Sequence, residues 1–229
     1  MDRGWRCVLL ARGRERLEAT AKEIGAEWET CDVGDRDGVA DVARRVGERH
    51  HAIHLLVSNA GMPAGGGFLE IPPERIEQVT RTNYLGGVWA LLGFLPLLER
   101  GAPSDVVNVA SVAATVVGPT FGPYAASKHA QLAFSRASAR ELAPRGIRVH
   151  AVNPGPVPTP GFPQERVRSS RIARHTLASA DDVAAGILRT VEENRREVFV
   201  PRPFRLAAAA QALVPGAVAR FGAFGRWRP

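Results

Sequence analysis

Tyr124 and Lys128 stand four residues apart in "YAASK", and Ser111 closes "NVAS" thirteen residues before the tyrosine. On a helix that spacing puts the phenol and the amine on one face. A phenol with its ordinary pKa of about 10 is a poor acid–base catalyst at neutral pH. A nearby ammonium favours the phenolate and lowers that pKa. A serine hydroxyl beside them can hydrogen-bond a substrate oxygen. The trio is therefore suited to moving a proton on or off a carbonyl or alcohol oxygen. Lys22 and Lys128 are the only lysines, and Tyr84 and Tyr124 the only tyrosines. The pair thus appears in a chain that otherwise chooses arginine, whose bulky fork would not replace a compact ammonium. Taken singly, each residue has a structural alternative: a strand-end turn for Ser111, a packed aromatic for Tyr124, a solvated helix charge for Lys128.

These residues need elements to position them. Apolar strands alternate with helices along the chain. "RCVLLA", "AEWETCDV", "IHLLVSNAG", "DVVNVAS", "IRVHAVNPG" and "EVFVP" read as strands. Between them lie helices: "ERLEATAKEIG", ending on Gly25 as a C′ glycine; "DRDGVADVARRVGERH", with Val39, Val42, Ala43 and Val46 on one face; and "PPERIEQVTRTNYLGGVWALLGFLPLLERG", with a break near 83–87. "YAASKHAQLAFSRASARELAPRG" follows, and then "SADDVAAGILRTVEENRR", where Ser179 stands three before Asp182 as a capping signal. This alternation predicts an α/β fold with a parallel sheet covered on both faces. Ligands in such sheets bind outside the carboxyl ends of the strands. The strand ends here are "SNAG", "NVAS" and "VNPGPVPT", which bring small and hydrogen-bonding residues to one rim.

The chain has 229 residues, enough for one domain, here taken as 1–229. No apolar run approaches membrane-spanning length, and "CVLLA" is too short and too flanked by charge for a signal peptide. A cytoplasmic location is expected. Cys7 and Cys31 are neither a CxxC pair nor a zinc site, and both are expected to be reduced and buried. The net charge is +7, but the basic residues are scattered among acids, with no nucleic-acid-binding motif. Nucleic acid is not expected as a partner. "GMPAGGGF" lacks the GK[ST] ending of a phosphate-binding loop and is read as a mobile loop by the cleft. His50, His51 and His54 lack acidic or cysteine partners nearby, so no metal is expected, and His54 is read as opening a buried strand. Residues 204–229 form an apolar, arginine-dotted tail, read as a final helix over the sheet or cleft; the competing reading is a membrane-surface segment.

"YAASK", with "NVAS", "SNAG", "RTNYLG" and "NPGPVPT", in that order and at those spacings, resembles the short-chain dehydrogenase/reductase family. The resemblance covers nearly the whole chain. It implies a Rossmann-type, doubly wound parallel sheet, and hydride transfer between NAD(P)H and an alcohol/carbonyl pair. By that resemblance Tyr124 is the acid/base, Lys128 lowers its pKa and binds the nicotinamide ribose, and Ser111 polarises the carbonyl. Asn83 holds a water that links Lys128 to solvent. Asn59, Ala60 and Gly61 back the cofactor, with Pro154 and Gly155 also in contact. Asp32 and Val33 reach the adenine, and Thr159 meets the carboxamide. The first strand of the chain ends in Arg12, where an acidic residue would mark NAD. NADP(H) is therefore the expected cofactor, with NAD the alternative. The substrate is expected to be a small alcohol or carbonyl compound, with a lipophilic one hinted at by the apolar tail. It would be selected by loops at 62–68 and 159–171, the second a flexible lid. A homodimer or homotetramer is expected.

The family opens with a strand, a TGxxxGxG turn and a helix, whose N-terminus stabilises the pyrophosphate. "MDRGW" resembles the end of that helix and "CVLLA" the second strand. One βα unit, roughly 25–30 residues, is thus expected to be missing. Its strand would be central. Its absence leaves its neighbours about 10 Å apart, unless "CVLLA" moves into the slot. Poor dinucleotide binding follows. The favoured explanation is a true start upstream of Met1. The other is a short form that is catalytically inactive, or an interaction scaffold.

Overall fold

The computed structural model describes residues 4–159, 177–216 and 218. Strands and helices alternate as the sequence predicts. The first half comprises β1 (Val8–Ala11), α1 (Arg14–Ile24), β2 (Glu27–Thr30), α2 (Arg36–Arg49), β3 (Leu55–Ser58) and α3 (Pro73–Thr80). There follow α4 (Gly86–Arg100), β4 (Ser104–Val109), α5 (Gly122–Glu141), β5 (Ile147–Pro154), α6 (Ala180–Glu192), β6 (Glu197–Val200) and α7 (Phe204–Leu213).

Local chemistry sets several boundaries. α1 ends at Gly25, whose φ of 66° is the left-handed conformation that glycine adopts without steric cost. The Asp35 side chain caps α2 by accepting from Asp37 N. At α6 the Ser179 hydroxyl accepts from Asp182 N, and the Asp182 carboxylate accepts from Ser179 N, completing the capping box. Between α3 and α4 the helix widens into a π-turn at Arg81–Leu85, where the sequence predicts a break.

Among the described residues the paired strands are all parallel, but they form two sheets. One is β1-β2; the other runs β3-β4-β5-β6. Ser58 pairs with Asn108, and Val109 with Val152. β4 and β5 are the interior strands of the second sheet, and all six residues of β4 are buried. Val106 and Val107 are wholly enclosed, each contributing on the order of 2 kcal/mol of burial. One cluster packs Leu91 and Leu98 of α4 against Val106, Ile147 and Val149. A second joins Val39, Val42 and Val46 of α2 to Phe94 and Leu97 of α4, with Val8, Leu10 and Leu56 against it.

β1 has not moved beside β3. The two strands instead face one cavity of about 1670 Å3. β1 and β3, which the sequence reading places in a sheet covered on both faces, are only half-buried at this cavity, and Val57 is 38% exposed. His54 lies just before β3 and is exposed, rather than opening a buried strand. Cys31 is buried as expected, but Cys7, at the cavity, is only half-buried. Among the described residues, no helix is long and apolar enough to cross a membrane.

Candidate active site

The carboxyl ends of β3, β4 and β5 carry the candidate site. β4 ends at Val109, and the chain turns at Ser111, whose hydroxyl accepts from Ala113 N at 3.1 Å. The same hydroxyl donates to Pro154 O, at the end of β5, at 3.5 Å. α5 starts at Gly122 with Pro123 in its first turn, so Tyr124 and Lys128 project from its amino-terminal part.

Tyr124 and Ser111 share a side-chain hydrogen bond. Burial pushes the Tyr124 phenol up from its ordinary value, and the Ser111 hydrogen bond only partly offsets this. Lys128 lies behind, its Nζ 6.0 Å from the centre of the Tyr124 ring. Lys128 is 3% exposed, and its ammonium donates to Val109 O at 2.9 Å and to Gln131 Oε1 at 2.8 Å. Burial lowers its pKa to about 7. Lys128 is not among the groups that shift the Tyr124 phenol in this structure, and burial alone accounts for the shift of Lys128. Desolvation dominates both groups and works against the charged form of each.

Asn83 sits in the π-turn and is fully buried. Its Oδ1 accepts from Met62 N at 2.8 Å, and its Nδ2 donates to Met62 O at 3.0 Å and to Ser127 Oγ at 3.0 Å. It therefore ties the loop after β3 to α5. A Cβ built on Gly61 would lie 3.6 Å from both Asn83 Oδ1 and Lys128 Nζ, so the "SNAG" backbone passes directly over the lysine. Arg75 anchors the following loop by donating to Pro63 O and Ala64 O.

A second group gathers at the ends of β1 and β2. Arg12, Asp32, Arg36, Arg81, Thr82 and Trp89 line a cavity of about 470 Å3. Arg12 Nη1 is 3.8 Å from Asp32 Oδ2, Asp32 Oδ1 accepts from Gly34 N at 2.9 Å, and the Arg36 guanidinium lies 5.9 Å over Trp89. Val33 packs on Gly86 at the edge of the larger cavity, which Asn59, Ala60 and Gly61 also line. Arg12 and Thr82 belong to both cavities. The structure thus brings Ser111, Tyr124, Lys128, Asn83 and Gly61 together, and sets Arg12 and Asp32 apart from them. Gly155 lies under the Phe204 ring. Thr159 is exposed at the last described residue before 160–176, so most of the loop read as a lid lies outside the described residues.

The sequence model of the short chain dehydrogenase family matches residues 1–168. The chain belongs to the short-chain dehydrogenase family. It is 38% identical over 224 residues to a putative ketoacyl reductase of Streptomyces coelicolor, covering 92% of this chain and 85% of the relative. It is 34% identical over 189 residues to a 1-deoxy-11-beta-hydroxypentalenate dehydrogenase of Streptomyces exfoliatus, covering 81% and 68% respectively. Among solved structures, an alcohol dehydrogenase from the archaeon Thermococcus sibiricus, complexed with 5-hydroxy-NADP, superimposes with a TM-score of 0.74 at 25% identity, covering 86% of each chain. A short-chain dehydrogenase from Streptomyces avermitilis shares the fold with a TM-score of 0.80 at 23% identity, over 98% of this chain and 89% of that one.

As a short-chain dehydrogenase the chain is an oxidoreductase with a Rossmann-type α/β fold. Sequence reading of this short-chain dehydrogenase missed Gln131, Ser127 and Arg36. Gln131 is three residues after Lys128, a helical neighbour spacing, and a polar residue there is the one signal that could have flagged it.

Proposed function

We propose that this chain is an NADP(H)-dependent oxidoreductase that interconverts an alcohol and a carbonyl, with Tyr124 as the acid/base. The observation that carries the reading is the Tyr124–Ser111 hydrogen bond at the carboxyl end of β4, with the Lys128 ammonium buried behind it. In the reducing direction Tyr124 Oη gives its proton to the carbonyl oxygen, while Ser111 Oγ hydrogen-bonds that oxygen and fixes its position. In the oxidising direction Tyr124 takes the proton back. When protonated, Lys128 places positive charge beside the ring and favours the phenolate side of that exchange. Asn83 and Ser127 hold the loop over Lys128 in place.

The residues present fit an NADP-type cofactor. Arg12 and Arg36 put guanidinium groups where a 2′-phosphate can be paired, and Trp89 offers a face for a base. Asp32 and Val33 lie on the adenine side; Asn59, Ala60 and Gly61 form the backing; Pro154, Gly155 and Thr159 complete the nicotinamide side. The cofactor, when bound, supplies or accepts the hydride at the substrate carbon. The substrate is a small alcohol or carbonyl compound, and the chain works as a homo-oligomer.

The split between β1 and β3 favours a second reading: impaired dinucleotide binding in this chain, which would then act as an inactive homologue or scaffold. Titration with NADPH, followed by fluorescence, separates the two: low-micromolar affinity supports the oxidoreductase reading for this chain, and weaker affinity supports the second. Catalysis is then measured at saturating NADPH with a panel of aliphatic ketones. Tyr124→Phe is expected to lose at least about 100-fold in rate. Equal rates for the two proteins would overturn the catalytic assignment.

A further inference from the structure

α7 presents its apolar side outward. The helix packs on β6, and at its amino end the Phe204 ring lies against Gly155, just past the end of β5. At 3.6 residues per turn, Phe204, Ala208 and Gln211 form one stripe, and Leu206, Ala209 and Leu213 form the opposite one. Burial follows that division. Phe204, Ala208 and Gln211 are half-buried, whereas Leu206 is 68% exposed, Leu213 is 81% exposed, and Ala209 is exposed with them. Val214, just past the helix, is 51% exposed. A helix that covers a core does the reverse, with its leucines inward and its amide outward. α7 thus lies over the sheet, as the sequence predicts, but its leucines take no part in covering it.

Charge indicates what fits this face. Arg202 and Arg205 are exposed at the amino end of α7, and among the described residues neither forms an ion pair. From Val198 to Pro229 the sequence holds five arginines, at 202, 205, 220, 226 and 228, and no aspartate or glutamate. The same segment of a second copy would bring more arginine and no carboxylate to meet it. A surface that is anionic on top and apolar just beneath suits both features. Leucines can enter its acyl region while the guanidinium groups stay at the phosphates. Ten residues are too few to cross a bilayer, so such a helix lies in the plane of the interface.

We propose that the outer face of α7 is a docking surface for an anionic lipid bilayer, with Leu206 and Leu213 inserted and Arg202 and Arg205 paired with lipid phosphates. This inference goes beyond the oxidoreductase reading and does not depend on it.

The test uses the whole chain with vesicles of phosphatidylcholine, either alone or mixed with an equal share of phosphatidylglycerol. Co-sedimentation is expected to show at least about tenfold tighter binding to the mixed vesicles, and the difference should shrink as salt rises from about 0.1 to about 1 M. On the mixed vesicles, amide hydrogen exchange in 204–213 is expected to slow by at least about tenfold. Two double variants separate the contributions. Leu206→Ser with Leu213→Ser removes the apolar stripe, and Arg202→Gln with Arg205→Gln removes the charge. All four side chains are exposed, so both proteins are expected to fold. Each is expected to lose at least about tenfold in affinity for the mixed vesicles, the arginine pair at about fivefold per charge. Absence of binding, equal binding to the neutral vesicles, or full affinity in either variant would overturn the proposal. So would a lipid-free dimer, seen by light scattering, that the leucine variant dissociates, because a second copy then covers the face. Binding lost only on removal of residues 217–229 would overturn it as well, by assigning the contact to that segment.

Discussion

Lys128 Nζ donates to Gln131 Oε1 at 2.8 Å, and both groups are almost completely enclosed. Its other acceptor, Val109 O, is equally neutral. An ammonium held only by dipoles in a buried site is poised to lose its proton, and burial brings its pKa to about 7. Lys128 therefore changes charge near neutral pH, beside the phenol it is expected to serve.

The two lysines make this measurable. Labelling with 13Cε-lysine gives two signals, from Lys22 and Lys128. The Lys128 signal is expected to titrate near neutrality; a midpoint at the ordinary lysine value of about 10.4 would count against the buried geometry. The sign for stability follows. Between the depressed folded value and the ordinary unfolded one, the unfolded chain binds the extra proton, so stability rises with pH across that window. Lys128→Met is accordingly expected to be more stable than the parent at pH ~6, by on the order of a few kcal/mol. The difference should shrink toward pH ~10. Urea unfolding at several pH values reads this.

Gln131 is a positioning residue for that ammonium. Gln131→Glu places a carboxylate where the amide oxygen stands, so the Lys128 midpoint is expected to move up. Gln131→Leu removes the acceptor, and the midpoint is expected to move down. A merely space-filling role for Gln131 would leave the midpoint the same in both variants.

Tyr124 depends on Ser111 in the same way. Burial raises the phenol's pKa and the Ser111 hydrogen bond opposes it. Ser111→Ala is therefore expected to delay Tyr124 ionisation further. Ultraviolet titration in a Tyr84→Phe background isolates the signal, because no third tyrosine exists. An earlier ionisation in Ser111→Ala would contradict the contact.

Away from the site, Asp105 is buried between β5 partners. Burial alone would raise its pKa, but hydrogen bonds from His150 Nε2 at 2.8 Å and from Arg148 at 2.8 and 2.7 Å outweigh it and hold the carboxyl below its ordinary value. A depressed carboxyl stabilises the fold above its unfolded pKa, about 3.9, and that stability is lost as pH falls through the folded value. Asp105→Asn is expected to cost roughly 3 kcal/mol at pH ~7 in urea unfolding. It should also weaken the acid dependence of stability below pH ~4.

What could be read along the chain was what contiguous residues decide. Gly25 ends α1, Ser179 and Asp182 start α6, and a break near Asn83 appears as the π-turn. Each rests on backbone groups within a turn of the residue named. The tyrosine, lysine and serine could also be placed, because helical spacing and a strand end put them on one rim. Other features needed the folded chain. That β1 and β3 stay apart depends on their separate ladders, Val8 with Glu27 and Leu55 with Asp105. That Gln131 holds Lys128, that Val57 is exposed, and that the Tyr124 phenol is pushed up rather than down all depend on burial. Spacing along one helix or strand is a property of the local chain. Pairing between strands and desolvation are set by whatever else the fold brings, or leaves out, around the group.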